Sequence, residues 1–255
     1  MRNLKRALSL ALSAAMLVGM MIVGTGAASY DDVSSEHNQE AIDVLQAIGV
    51  MVGDGESFNP DQNVTREEMA VIMCNLLDYT VSSYQGLTRF TDVSDWARPY
   101  VEACYTNGII AGYSDTQFGG ADPVTTGQAG LMMLKALGYF QYQQDFGNSW
   151  ILSTVSQAAR IDLFDGIDAE TEEPLTRNDI AQLALNTLES GLVEPDDSTI
   201  DITSPDGTTV TAGSVNYVYV ASGDPYARAI DDAETNASSL TGLHGYVVEL
   251  GEDLY

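Results

Sequence analysis

Positive charge is what this chain has least of. Ten Lys and Arg residues stand against 37 Asp and Glu in 255 residues. Three of the ten, Arg2, Lys5 and Arg6, fall at the very start, leaving seven bases and a net charge of −30 on the remainder. A surface so acidic repels nucleic acid and anionic lipid, so neither is expected as a partner. Histidine is almost missing. His37, in a polar loop, and His244, near the end, give a Ser-His-Asp or Cys-His arrangement little to draw on. The sequence has no Gly-x-Ser-x-Gly elbow, no phosphate loop and no His/Cys spacing suited to zinc. Asp61 to Thr65 begins like a calcium loop, but Arg66 stands where the turn glycine belongs and Ile72 where the bidentate Glu belongs. Paired carboxylates for glycoside hydrolysis remain open among so many acids, yet nothing selects a pair. No catalytic residue, cofactor or metal is assigned, and the chain reads as a non-enzyme.

Cysteine is scarce too. Cys74 and Cys104 each lie on the apolar side of an expected helix, as a disulfide of an exported protein or as two small core hydrophobes. Long apolar runs are confined to one place. Leu8 to Val23 carries no charge, follows the basic start and precedes the small residues Gly26-Ala27-Ala28. That is the layout of a cleavable signal peptide over residues 1–28, with an uncleaved anchor as the alternative. Export is therefore expected, without membrane insertion after cleavage.

What the rest has in abundance is repetition. Val64-Thr65-Arg66-Glu67-Glu68-Met69-Ala70 returns as Val124-Thr125-Thr126-Gly127-Gln128-Ala129-Gly130 and as Leu175-Thr176-Arg177-Asn178-Asp179-Ile180-Ala181. Each copy continues with apolar residues at the i, i+3, i+4, i+7, i+8 spacing of one helix face. Each opens with Thr and sets Glu, Gln or Asp three residues on, the pattern that caps a helix start. Glu68, Gln128 and Asp179 are accordingly read as caps. Such a repeat is read before any other feature.

Upstream elements repeat as well. In the first copy, Tyr30-Asp31-Asp32-Val33 opens the unit and a helix with Ala41, Ile42, Leu45 and Ile48 on one face ends at Gly49. An apolar piece ending at Gly53 and a loop with Phe58 and Pro60 lead to the Thr-headed helix. The second copy restates this with Phe90-Thr91-Asp92-Val93, Trp96-Ala97, Gly108, Gly112 and Phe118, but Thr126 replaces the Arg. The third is diverged: Trp150 and Val155 to Arg160 supply its first helix, Ile161 to Phe164 its apolar piece, and the helix from Thr176 is its clearest part. From about residue 193 the period becomes that of strands, with Ile200 and Ile202 alternating, a Pro205-Asp206-Gly207 turn and Val/Tyr-rich stretches. The expected fold is mainly α: three helix-loop-helix copies at 29–86, 87–145 and 146–192, then a short β-rich C-terminal region at 193–255, read as incomplete or as the start of a larger β region.

The ordered set of openings, Trp-Ala, helix-ending Gly, Phe-then-Pro loop and Val-Thr-Arg-x-Glu resembles the S-layer homology domain over about residues 30 to 190. The resemblance implies a pseudo-threefold helical module that fastens an exported protein to cell-wall polysaccharide at the cell surface. The polymer typically carries pyruvate ketals, bound in grooves between repeats. By position it singles out Arg66 and Arg177 for the acidic group, Gly53 and Gly112 for close backbone approach, and Asp32, Asp92 and Trp96 in the openings. Thr126 leaves its groove weak or merely structural. Arg offers a carboxylate a rigid fork, and both arginines sit at helix starts where free N–H groups also favour an anion. Plainer readings stand beside these: Arg66 and Arg177 as solvated partners of nearby Glu, Trp96 as a core anchor, Asp32 and Asp92 as caps, Gly53 and Gly112 as positive-φ residues. Other surface-layer subunits are a second partner class. The alternatives to anchoring are a structural or self-assembling surface protein whose repeats no longer bind glycan, and the N-terminal anchor of a larger surface enzyme.

Overall fold

The computed structural model describes residues 30–195, 199–203, 209–213 and 217–219. The signal-like segment and most of the C-terminal stretch lie outside the described residues. Among the described residues six α-helices dominate: α1 Gln39–Ala47, α2 Arg66–Leu76, α3 Arg98–Thr106, α4 Thr126–Ala136, α5 Trp150–Arg160 and α6 Arg177–Glu189. Two 3-10 turns, Val81–Tyr84 and Gln143–Phe146, follow α2 and α4. The four strands β1 Val193–Pro195, β2 Thr199–Thr203, β3 Thr209–Gly213 and β4 Tyr217–Tyr219 form two antiparallel pairs, β1 with β4 and β2 with β3.

The repeated motif produces the repeated helix start. Thr65, Thr125 and Thr176 are the N-caps of α2, α4 and α6, and each hydroxyl accepts the backbone N–H three residues on. Glu68 and Asp179 return the bond to the cap N–H, completing a capping box. Gln128 caps nothing, because its amide oxygen accepts from the Arg66 guanidinium at 2.9 Å instead. The first helix of each copy ends in a left-handed residue: Gly49 at φ 75°, Gly108 at φ 74° and, in the third copy, Asp162 at φ 53°. Asp tolerates that region better than most side chains. Asp162 therefore aligns with the two glycines, and the buried Leu163 with Val50 and Ile109.

The helix contacts run between copies. α2 packs on α3, α4 on α5 and α6 on α1, so the second helix of each copy lies against the first helix of the next. The loops before the Thr-headed helices bond in the same cycle. Val124 donates its N–H to Val64 O at 2.8 Å, Val64 to Leu175 O at 3.0 Å, and Leu175 to Val124 O at 3.1 Å. All three of these side chains are fully buried.

A single apolar core fills the interior, with Phe58, Phe90, Phe118, Met69, Met73 and Met133 among its largest members. Cys74 and Cys104 meet across α2 and α3 with their sulfurs 3.5 Å apart. Both stand as buried thiols, and each also reaches a carbonyl of the opposite helix, Tyr100 O and Ala70 O. The neighbouring thiol and burial together hold the Cys104 pKa well above its ordinary value.

Truncating Phe118, which packs tilted on Phe90 with ring centroids 5.5 Å apart, leaves a cavity that the fixed loops around it cannot fill. Phe118→Ala is expected to lower stability by about 3–5 kcal/mol, measured as a shift of the urea midpoint at unchanged slope. Thr125→Ala, which removes only a cap, is expected to cost about 1 kcal/mol.

Candidate functional site

Of the motif arginines Arg66 is buried and Arg177 half-buried. Arg66 is 3% exposed and reaches out of its own copy into the second. Its Nε donates to Phe118 O at 3.0 Å, Nη2 to Ala111 O at 2.8 Å and Nη1 to Gln128 Oε1 at 2.9 Å. The guanidinium lies between two rings, 4.5 Å from the Phe118 centroid and 4.7 Å from that of Tyr113. Arg177 repeats the arrangement one copy round. Its Nε donates to Phe58 O at 2.7 Å, its Nη2 to Val52 O at 3.0 Å, and its Cζ sits 4.6 Å over the Phe58 ring. Pairing with a nearby Glu is thereby replaced by main-chain anchoring. Burial pulls both pKa values below the ordinary arginine range, and nearby acidic groups partly restore them. Both side chains stay cationic.

The helix-start argument needs correcting. In all three Thr-headed helices the first two N–H groups are taken by carbonyls of the next copy. Arg66 and Glu67 donate to Asp122 O and Gly120 O, Thr126 and Gly127 to Glu173 O and Thr171 O, and Arg177 and Asn178 to Gln62 O and Pro60 O. The third N–H goes to the cap hydroxyl. These amides hold the copies together, so any attraction for an anion comes from the side chains.

A guanidinium has five N–H donors, and three of Arg66's are committed to Phe118, Ala111 and Gln128. One on each Nη carries no bond among the described residues. Arg66 lines a cavity of about 340 Å³ together with Gly112, Tyr113, Gln128, Lys135 and Trp150, and Ile109 and Met132 add apolar lining. Lys135 spans the cavity, donating to Gly108 O at 2.7 Å, and burial lowers its pKa. Two cations and two partly exposed aromatic rings therefore converge on one concavity. Arg66 comes from the first copy, Trp150 from the third and the rest from the second.

A separate hollow on the third copy, about 310 Å³, is lined by Asp162, Asp165, Asn186 and Glu189. Burial and the nearby Glu40 raise the pKa of Glu189. Thr126, in the arginine position, turns its hydroxyl to Glu173 O at 3.2 Å. Phe164 lies so close to Gly130 that a Cβ there would come within 2.5 Å of its ring. The junction lacking the arginine is packed by an aromatic ring.

The remaining sequence-selected residues build the loops. Asp92 accepts the N–H groups of Phe118 and Gly119, both at 2.8 Å, and Asp32 those of Phe58 and Asn59 at 2.9 and 2.7 Å. Desolvation pushes both carboxyls up, but these backbone bonds outweigh it and hold them below the ordinary 3.8. Gly53 and Gly112 have no room for a side chain: a Cβ would fall 2.2 Å from Ser57 O at the first and 2.4 Å from the Phe90 ring at the second. Neither has a positive φ, so close packing rather than turn geometry demands glycine. Trp96 is 54% exposed, which makes it no core anchor, and it does not line the Arg66 cavity. Sequence reasoning missed Gln128 as a ligand of Arg66, and it missed Lys135 and Trp150. The signal for Trp150 was register, since it precedes Asp162 by the same 12 residues that separate Trp96 from Gly108.

The structure thus sets a cationic, aromatic-lined cavity between copies of a helical repeat. The S-layer homology domain family model matches residues 29–70 and 89–129, which lie in the first two copies. The chain is 28% identical over 161 residues to the middle cell wall protein of Brevibacillus brevis, covering 61% of this chain and 15% of that protein. It is 26% identical over 228 residues to the surface-layer 125 kDa protein of Lysinibacillus sphaericus, covering 78% and 19%. It is 32% identical over 87 residues to endo-1,4-beta-xylanase A of Thermoanaerobacterium saccharolyticum, covering 33% and 7%. The chain thus spans less than a fifth of each of these relatives. No helix among the described residues is long and apolar enough to cross a membrane.

Depressed carboxyl pKa values stabilise the fold above the unfolded value of about 3.9, and that contribution is lost as pH falls through the lower folded values. Asp32→Asn with Asp92→Asn is expected to melt below wild type at pH 6. The difference should shrink as the pH drops below 3.8 toward 2, read from melting curves at each pH.

Proposed function

We propose that this protein anchors an exported chain to the cell surface by binding an acidic, pyruvylated cell-wall polysaccharide in the cavity around Arg66. The observation that carries the reading is the pair of uncommitted N–H groups on a guanidinium fixed by two main-chain carbonyls and Gln128. A carboxylate entering the cavity would meet a preoriented, partly desolvated fork, with Lys135 as a second positive charge. The net charge of the whole surface opposes an anionic polymer. At physiological salt, however, that field is screened beyond about 8 Å, so the local cations decide. The matched repeats and the names of the relatives, a cell wall protein and a surface-layer protein, support the same reading.

In this proposal the three copies form a pseudo-threefold module, to which the cyclic bonding of Val64, Val124 and Leu175 is favourable. Arg177 has a similar cradle in the carbonyls of Phe58 and Val52, and acidic groups act on it as they do on Arg66. The Arg66 cavity, with Lys135 beside it, is the site this proposal rests on. The junction headed by Thr126 serves structure. The xylanase match favours a second reading, in which these repeats tether a larger surface enzyme whose catalysis lies in other parts of the chain.

A pull-down with purified cell walls, before and after acid extraction of the polysaccharide, tests the anchor. Binding is expected to disappear with the polymer, and equal retention on both preparations would sink the proposal. Arg66→Lys keeps the charge in place but loses the fork. It is expected to weaken binding about tenfold while circular dichroism stays that of the wild type.

A further inference from the structure

We propose that Cys74 and Cys104 are a disulfide-forming pair, which closes on export and joins the first copy to the second covalently. The assignment does not depend on what the Arg66 cavity binds.

The three junctions between copies supply the comparison. Cys74 stands nine residues after the cap Thr65, and Leu134 and Leu185 hold that place after Thr125 and Thr176. Cys104 stands four residues before the left-handed Gly108, and Leu45 and Ala158 hold that place before Gly49 and Asp162. All six side chains are buried in the one core, on the helix pairs α2 with α3, α4 with α5 and α6 with α1. At these places one junction uses Leu with Ala and another Leu with Leu. The remaining junction uses the only two cysteines of the chain, one on each helix. A core filler does not call for sulfur on both sides, as Leu134 with Ala158 shows. A disulfide does. The two sulfurs lie 3.5 Å apart, and both face across the junction, to Tyr100 O and Ala70 O. Closing the bond asks for an approach of roughly 1.5 Å between them.

The step is thiol–disulfide exchange with an external disulfide, of the kind an oxidising exterior supplies to an exported chain. One cysteine thiolate attacks the external disulfide, releases one thiol and leaves a mixed disulfide. The second cysteine then displaces the other external thiol and completes the Cys74–Cys104 bond. Two electrons pass to the external disulfide, and the two cysteine protons end on the two released thiols. In the folded core both side chains are shielded, and the Cys104 pKa is held well above its ordinary value. Exchange therefore belongs to the stage before α3 packs on α2. The bond spans 30 residues, and it ties the junction across which Arg66 reaches the second copy.

The test uses the full chain exported to an oxidising bacterial periplasm. The protein is denatured in an alkylating reagent and weighed by mass spectrometry, with and without prior reduction. It is expected to be monomeric, to take no alkyl group unreduced and to take two after reduction. Cys74→Leu with Cys104→Ala copies the α4–α5 pairing and serves as the sulfur-free control. Reduction is expected to raise the unfolding equilibrium constant of the wild type on the order of a hundredfold, read from urea curves, and to leave the double variant unmoved. Two alkyl groups on the unreduced protein, a disulfide-linked dimer, or wild-type urea curves indifferent to reductant would overturn the pair. Each would leave two core hydrophobes, and the anchoring reading, tested by wall binding, would stand.

Discussion

Every Thr-headed helix begins with amide groups that its own backbone cannot satisfy, and the next copy supplies their acceptors. Arg66 and Glu67 depend on Asp122 and Gly120, Thr126 and Gly127 on Glu173 and Thr171, and Arg177 and Asn178 on Gln62 and Pro60. An orphaned buried N–H costs on the order of 1–3 kcal/mol, so separating any two copies exposes a helix end as well as apolar surface. The loops that accept these amides are rigid in turn. Asp32 and Asp92 tie them back, and Gly53 and Gly112 let them pass within contact of Tyr30 and Phe90. The arginine fork sits on that frame, bonded to the same loops.

Divergence among the copies follows from the frame. Where arginine occupies the position after the cap, its aromatic and carbonyl cradle comes from the next copy. Where Thr126 occupies it, the hydroxyl bonds to Glu173 O and Phe164 packs onto Gly130. Gln128 shows the linkage in reverse. Its counterparts Glu68 and Asp179 close capping boxes, whereas its own amide oxygen holds Arg66. Likewise Asn75, Lys135 and Asn186 stand ten residues after their cap threonines and all tether the loop of their own copy, but only Lys135 adds a charge.

The helices were legible because their signals are local. Thr caps, the 3.6-residue apolar stripe and the closing glycines fall within one turn of the residue they govern. The helix partners were not legible, since nothing within a copy says whether α2 prefers α1 or α3. Arg66 was found from its motif and its neighbours were not, because Gln128 and Ala111 lie 62 and 45 residues away. Asp162 hid the third-copy register, since a left-handed aspartate carries no mark that a glycine would. Ile200 and Ile202 fall in β2, which pairs with β3, but most of the stretch read as β-rich lies outside the described residues.

The packing of α6 on α1 also bears on the order of assembly. The N–H of Asn38 bonds to the side chain of Asn178 across 140 residues, and Arg177 reaches Val52 across 125. Contacts so distant in sequence form late, after the chain entropy of closing the loop has been overcome. A chain made from its N-terminus therefore presents α1 and the first loop well before their partners exist. The Arg66 cavity, to which the third copy contributes Trp150, is complete only once that copy has joined the other two.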